Sequence, residues 1–168
     1  MGKRLVCKLR WGPLGLFLFA ALVPTPALAC SYVSKRQSPA EIRQEARQAF
    51  SKANAVIDAE VTSPMLFGGA WKEGLTPIAY LKVLHAWKGN PPELLPVVYI
   101  TSCDIGLLTK GEKVRLLLTG AGAYRAEQSL NGFGVSNPTL FFREIDRLVG
   151  HPKGPGFTEV PGGPLPPE

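Results

Sequence analysis

Histidine and cysteine are nearly missing from this chain, with two of the first and three of the second among 168 residues. So few leave little material for metal hydrolysis or for a Ser-His-Asp relay, which need several such groups at fixed spacing. His85 lies inside an apolar strand pattern and His151 opens a proline-rich end, with no carboxylate or cysteine at ligand spacing near either. Both read as structural. A Cys-His pair can be drawn from Cys103 and His85, but Cys103 has another use, given below. Phosphate loops are missing too: Gly120-Ala121-Gly122 and Gly132-Phe133-Gly134 lack the strand-to-helix setting that gives such loops meaning. There is no nucleophile elbow and no zinc-type cysteine pair. These absences predict a protein that is not an enzyme, with no catalytic residues, no cofactor and no metal ion of its own.

Long apolar runs are equally scarce. The one candidate, Leu14 to Val23, follows a basic stretch with Lys3, Arg4, Lys8 and Arg10 and ends at Pro24, Pro26 and the small-residue site Ala27-Leu28-Ala29. This is the three-part pattern of a secretory signal peptide, and the run is short for a bilayer. Residues 1–29 are therefore expected to leave, and the mature protein to be secreted or periplasmic, with no integral membrane span. The leader holds four of the 19 Lys+Arg and none of the 13 Asp+Glu, so the remainder carries a formal charge of only +2. The high pI belongs to the leader, and no nucleic-acid partner is expected.

Cleavage after Ala29 makes Cys30 the first mature residue and removes Cys7, leaving Cys30 and Cys103. An exported chain with two cysteines commonly pairs them. A Cys30–Cys103 disulfide would close a loop of more than 70 residues, and loop-closure entropy then contributes on the order of 4 kcal/mol. It would also hold the free amine and carbonyl of Cys30 beside Ser102 and Asp104. A second fate stays open: Ala27-Leu28-Ala29-Cys30 is also a lipoprotein-type site, with alanine where leucine is usual, and a lipid anchor would consume the Cys30 thiol.

Along the chain, Ser38-Pro39-Ala40-Glu41 has the form of a capping box with proline at the first helical position. Ile42, Ala46, Ala49, Phe50 and Ala53 recur at helical spacing, which predicts a helix over 39–53 that lays one stripe on a sheet. From Val56 to Val61 the period changes to two, with Ile57, Ala59 and Val61 on one face of a half-buried strand. Residues 63–75 form a loop whose Met65, Leu66, Phe67 and Trp71 either cover the end of a barrel or offer a contact surface; packing is the favoured expectation. A strand over 76–87 places Ala79, Leu81, Val83 and Trp87 together, and Lys88-Gly89-Asn90-Pro91-Pro92 turns the chain. Further strands are predicted at 96–101, 114–119 and 123–129, and a second helix from Asn137-Pro138 to Gly150. Residues 151–168, with six prolines and four glycines, read as a disordered tail whose deletion leaves melting unchanged. The prediction is one mainly β domain over 30–150: a small five-stranded antiparallel barrel of the OB type with flanking helices.

On these residues the chain resembles the netrin-like domain, the module of the tissue inhibitors of metalloproteases, in the reduced form of bacterial homologues. The resemblance covers roughly residues 30–125. It rests on Ala29-Cys30-Ser31 at the mature start, a strand ending in Val61, and a strand closing on Trp87-Lys88-Gly89. It continues with Ser102-Cys103 and with Lys110-Gly111-Glu112 before an apolar strand. It implies the same barrel, with a cysteine bonded from the N-terminus to the position of Cys103. It further implies that the Cys30 amine and carbonyl chelate the zinc of a partner protease, while Ser31 enters its specificity pocket; Ser102 and Asp104, set beside Cys30 by the expected pairing, complete the candidate partner-binding set. The inhibitors carry another cysteine at the third mature position, where this chain has Tyr32, so one staple of the inhibitory ridge is missing here. The functional expectation is an exported domain that binds a zinc metalloprotease or another envelope protein. The alternative is a non-inhibitory structural or envelope-associated barrel, lipid-anchored at Cys30 or not.

Overall fold

Ser38 starts the first helix as its sequence requires. Its hydroxyl accepts from the Glu41 N–H, and the Glu41 carboxylate accepts from the Ser38 N–H at 2.6 Å, completing the capping box ahead of α1, Pro39–Lys52. The computed structural model describes residues 36–70, 73–159 and 161. The leader, Cys30, Ser31, Tyr32 and Trp71 thus lie outside the described residues. After α1 come β1 (Ala55–Ser63), the four-residue helix α2 (Phe67–Ala70), β2 (Ile78–Lys88), β3 (Leu94–Val98), β4 (Lys113–Leu118), a 3-10 turn at Gln128–Leu130, and α3 (Pro138–Val149). Asn137 caps α3 by accepting from the Leu140 N–H, and Gly150 ends it in the left-handed conformation.

The strands form one antiparallel sheet in the order β3-β2-β1-β4. Its inner face carries Ile57, Ala59, Val61, Leu81, Leu95, Val97 and Leu116, covered by Tyr99, Ile105, Leu107 and Ala126 from the chain between and after the strands. On the outer face α1 and α3 pack together over Val56 and Leu117 with Ile42, Ala46, Ala49, Phe141 and Ile145. The apolar stripe of α1 therefore does meet a sheet, though α3 shares the contact. β1 is not half-buried as its alternation predicts: Ala55 through Ala59 are all buried, because the helices cover its second face as well. Within the loop 63–75, Met65 is buried and Phe67 packs edge-on against Tyr99 at 4.8 Å, while Leu66 and Leu75 stay exposed.

Three other expectations need correction. The named strands make an open four-stranded sheet instead of a closed five-stranded barrel. Residues 123–129, expected as the fifth strand, make only isolated bridges, Tyr124 with Val97 (parallel), Arg125 with Thr119 and Glu127 with Asp104. Gly120 and Gly122 at φ 92° and 95° on one side, and the 3-10 turn on the other, leave too little extended chain for a ladder. Secondly, Trp87 does not share a face with Ala79, Leu81 and Val83. The register passes from Ala59–Val83 to Asp58–His85, leaving Leu84 as a bulge that flips the later side chains, and Trp87 packs with the helix-side cluster. Thirdly, residues 151–159 are not a free tail. The Thr158 N–H donates to the Lys113 carbonyl at 2.9 Å, Phe157 bridges Lys113, and Arg115 donates to the His151 carbonyl at 2.8 Å. The strap follows from a buried arginine that composition does not reveal.

Candidate functional site

The turn that carries Cys103 is clamped from two sides. Asp104 accepts through Oδ2 from the N–H groups of Ile100 (2.8 Å) and Thr101 (2.9 Å), and its own N–H donates to the Thr101 carbonyl. Arg125 donates from Nη2 to Asp104 Oδ1 at 2.8 Å. This hydrogen bond, opposed by burial and helped by the Asp104 charge, raises the Arg125 pKa above its ordinary value. From the opposite side the Gln128 N–H donates to the Cys103 carbonyl at 2.8 Å, and its side-chain amide donates to the carbonyls of Ser102 and Asp104. Burial, with the Asp104 charge second, also raises the Tyr99 phenol. Each partner fixes backbone, so the turn is rigid without belonging to a regular element.

Cys103 is disulfide-bonded. It is the one cysteine within the described residues, so the expected pairing with Cys30 concerns a partner outside them, as do the roles of Cys30 and Ser31. Ser102 is exposed on the turn, where a partner can reach it. Asp104 is not: the residue is 1% exposed and its carboxylate is consumed by the turn and by Arg125. The expectation that Asp104 touches a partner is corrected; it is a positioning residue for Cys103.

Next to this turn the sheet has no cover. α1 and α3 lie over β1, β4 and the far end of β2, where Trp87 and Lys88 meet them, and the near end of β2 with β3 leaves its outer face exposed. Ile78, Tyr80, Leu94 and Ile100 are exposed there by 38, 42, 57 and 61%. The register sets Ile78 against Val98 and Tyr80 against Pro96, which makes these side chains one apolar stripe leading to the turn at Ile100, with Leu94 at its far end opposite Lys82. Such stripes mark contact surfaces more often than scattered apolar residues do. Sequence periodicity misses it because a strand pattern shows which residues share a face and not which face stays bare.

A second polar centre escaped the sequence altogether. Arg115, on β4 and fully buried, donates to both carboxylate oxygens of Asp58 (2.7 and 2.8 Å) and to Asp146 Oδ1 at 2.6 Å. Burial alone would lower its pKa; Asp58 and then Asp146 outweigh that and raise it. The guanidinium also lies 5.2 Å from the Trp87 ring centroid. The only signal was one charge in the middle of each of two apolar strands. Glu144, almost buried, ties the two helices by accepting from Arg147 on its own helix and Arg47 on α1; these bonds hold its pKa down at about 2, against desolvation. Lys153 on the strap is pushed down to about 8, mainly by burial.

No group of three His, Cys, Asp or Glu side chains among the described residues is placed to share a metal ion, and none of their helices is long and apolar enough to cross a membrane. No family model matches the chain, and neither a curated protein nor a solved structure is matched by it.

Proposed function

We propose that this chain is an exported netrin-like domain that binds a protein partner through the Cys103 turn and the adjoining β2–β3 stripe, with a zinc metalloprotease as the partner. One observation carries the reading: a disulfide-bonded cysteine in a rigidly clamped turn, beside exposed apolar residues that the fold leaves bare. In this reading Cys103 pairs with Cys30 and so presents the Cys30 amine and carbonyl, with Ser31 following, at the end of the stripe.

The amine can bind zinc only when unprotonated and unacylated. An α-amino group titrates near pH ~8, so inhibition weakens as pH falls below that value. Adding one alanine before Cys30 displaces the amine by about 3.8 Å and should abolish inhibition of a panel of zinc proteases while the melting temperature is kept. Equal inhibition by native and extended protein overturns the chelation mechanism. Tyr32 in place of the inhibitors' second cysteine favours another reading, a non-inhibitory structural or envelope-associated domain, and inhibition by neither form selects it. The mass of the mature protein, with and without reduction, separates disulfide from lipid at Cys30.

A further inference from the structure

β2 departs twice from a regular ladder near its end. Between Tyr80 and Lys88, Leu84 and Trp87 alone have no partner on β1. An unpaired strand residue bends its strand and re-aims the side chain, and both of these side chains line one cleft of about 430 Å³. Gly154 and Phe157 of the strap complete its apolar lining. Packing accounts for Trp87, which meets the helix-side cluster, but not for Leu84, which stays 43% exposed.

The chemistry of the cleft narrows what can sit there. The rings of His85 and His151 already lie against Trp87, at centroid distances of 4.0 and 5.4 Å, so no further ring enters between them. Leu84 and Phe157 supply the apolar surface that remains. The one carboxylate at the lining, Asp58, gives both oxygens to Arg115, so a charged occupant would lose water and find no free counter-charge. Flexible aliphatic side chains fill such a space, and the volume admits more than one of them. Position adds a second argument. Ile78, Tyr80, Lys82 and Leu84 alternate along β2, so Leu84 follows the bare stripe on the same face of the sheet. A partner lying along β2 from the Cys103 turn reaches the cleft at the other end.

We propose that a protein partner bound along β2 seats a pair of adjacent, uncharged aliphatic residues in this cleft, against Leu84 and Phe157. The cleft then sets specificity at the end of the contact remote from Cys103. This rests on the partner reading above and adds a second contact to it.

Acetyl-Leu-Leu-amide is the probe, titrated into the mature, disulfide-intact protein while nitrogen-15 NMR follows the backbone amides of His85 and Gly154. Both signals should shift saturably, with a Kd of about 1 mM, an ordinary affinity for a ligand of this size. Acetyl-Asp-Asp-amide and acetyl-Lys-Lys-amide should bind about tenfold or more weakly. Leu84→Asp should remove the saturable shift while the melting temperature stays within a few degrees, because Leu84 is exposed. Tyr80→Lys should leave it unchanged, since Tyr80 lies about 13 Å away along the strand. A shift that never saturates, equal binding of the three peptides, or unchanged binding in Leu84→Asp overturns the proposal. With a zinc protease that the protein binds, Leu84→Asp should weaken the complex about tenfold. A complex lost in Tyr80→Lys yet unchanged in Leu84→Asp overturns the cleft contact and leaves the partner reading standing. If no protease binds, the protease reading falls, and the peptide titration still decides the cleft.

Discussion

Asp104 and Arg115 show how a single buried charge can hold a surface in place. Asp104→Ala removes the acceptor for the Ile100 and Thr101 N–H groups and the buried partner of Arg125, which keeps only Glu127 as a counter-charge, so the variant should lose about 3 kcal/mol, read by chemical denaturation. The same change should loosen the Cys103 turn, visible as faster hydrogen exchange at Ile100 and Thr101. Arg115→Ala should cost more, about 3–5 kcal/mol, because Asp58 and Asp146 are then left without their cation. Glu144 sets a pH limit. Its folded pKa lies at about 2, below the ordinary 4.5, so its contribution is complete above about 4.5 and disappears as pH falls to about 2. Glu144→Gln should remove that part of the acid unfolding while leaving the profile above pH 5, roughly, parallel to wild type.

At the scale of elements, what could be read from sequence was what is decided locally. Ser38, Pro39 and Glu41 announce α1, and Asn137, Pro138 and Gly150 bracket α3, because a cap is made by residues within one turn of each other. The bulge at Leu84 could not be read, since it exists only in the pairing of β2 with β1, and with it went the true face of Trp87. Likewise the second buried face of β1 depends on helices far away in sequence. In the Cys103 turn Ser102 is exposed and Cys103 half-buried, and the inward turn of Asp104, which depends on Arg125, was not legible. The strap 151–159 was misread as disorder because its anchors are tertiary: Arg115 to the His151 carbonyl, the Thr158 N–H to the Lys113 carbonyl, and Thr139 to the Glu159 carboxylate. Deleting residues 151–168 should therefore cost about 2–3 kcal/mol and lower the melting temperature by on the order of 10 °C, measured by calorimetry.

Taken as a whole, the molecule divides its labour between two sides of one sheet. The helices and the ion pairs of Arg115 and Glu144 secure β1 and β4, so β2 and β3 can leave apolar residues bare without the domain losing its core. If the stripe is a contact surface, Tyr80→Lys should weaken partner binding by about tenfold or more while melting stays within a few degrees, because Tyr80 is 42% exposed in the free protein.

β4 ends the sheet, yet almost none of its outer rim is left to water. Asn131, fully buried, accepts from the Leu117 N–H through its side-chain oxygen and donates its side-chain N–H to the Leu117 carbonyl, both at 2.9 Å, imitating one residue of a neighbouring strand. Arg125 exchanges both backbone bonds with Thr119 at one end, and Thr158 takes the Lys113 carbonyl at the other. Three unrelated segments thus occupy the positions where a second molecule would otherwise add its own strand. Remove Asn131 and the strap together, and the monomer should begin to assemble edge to edge.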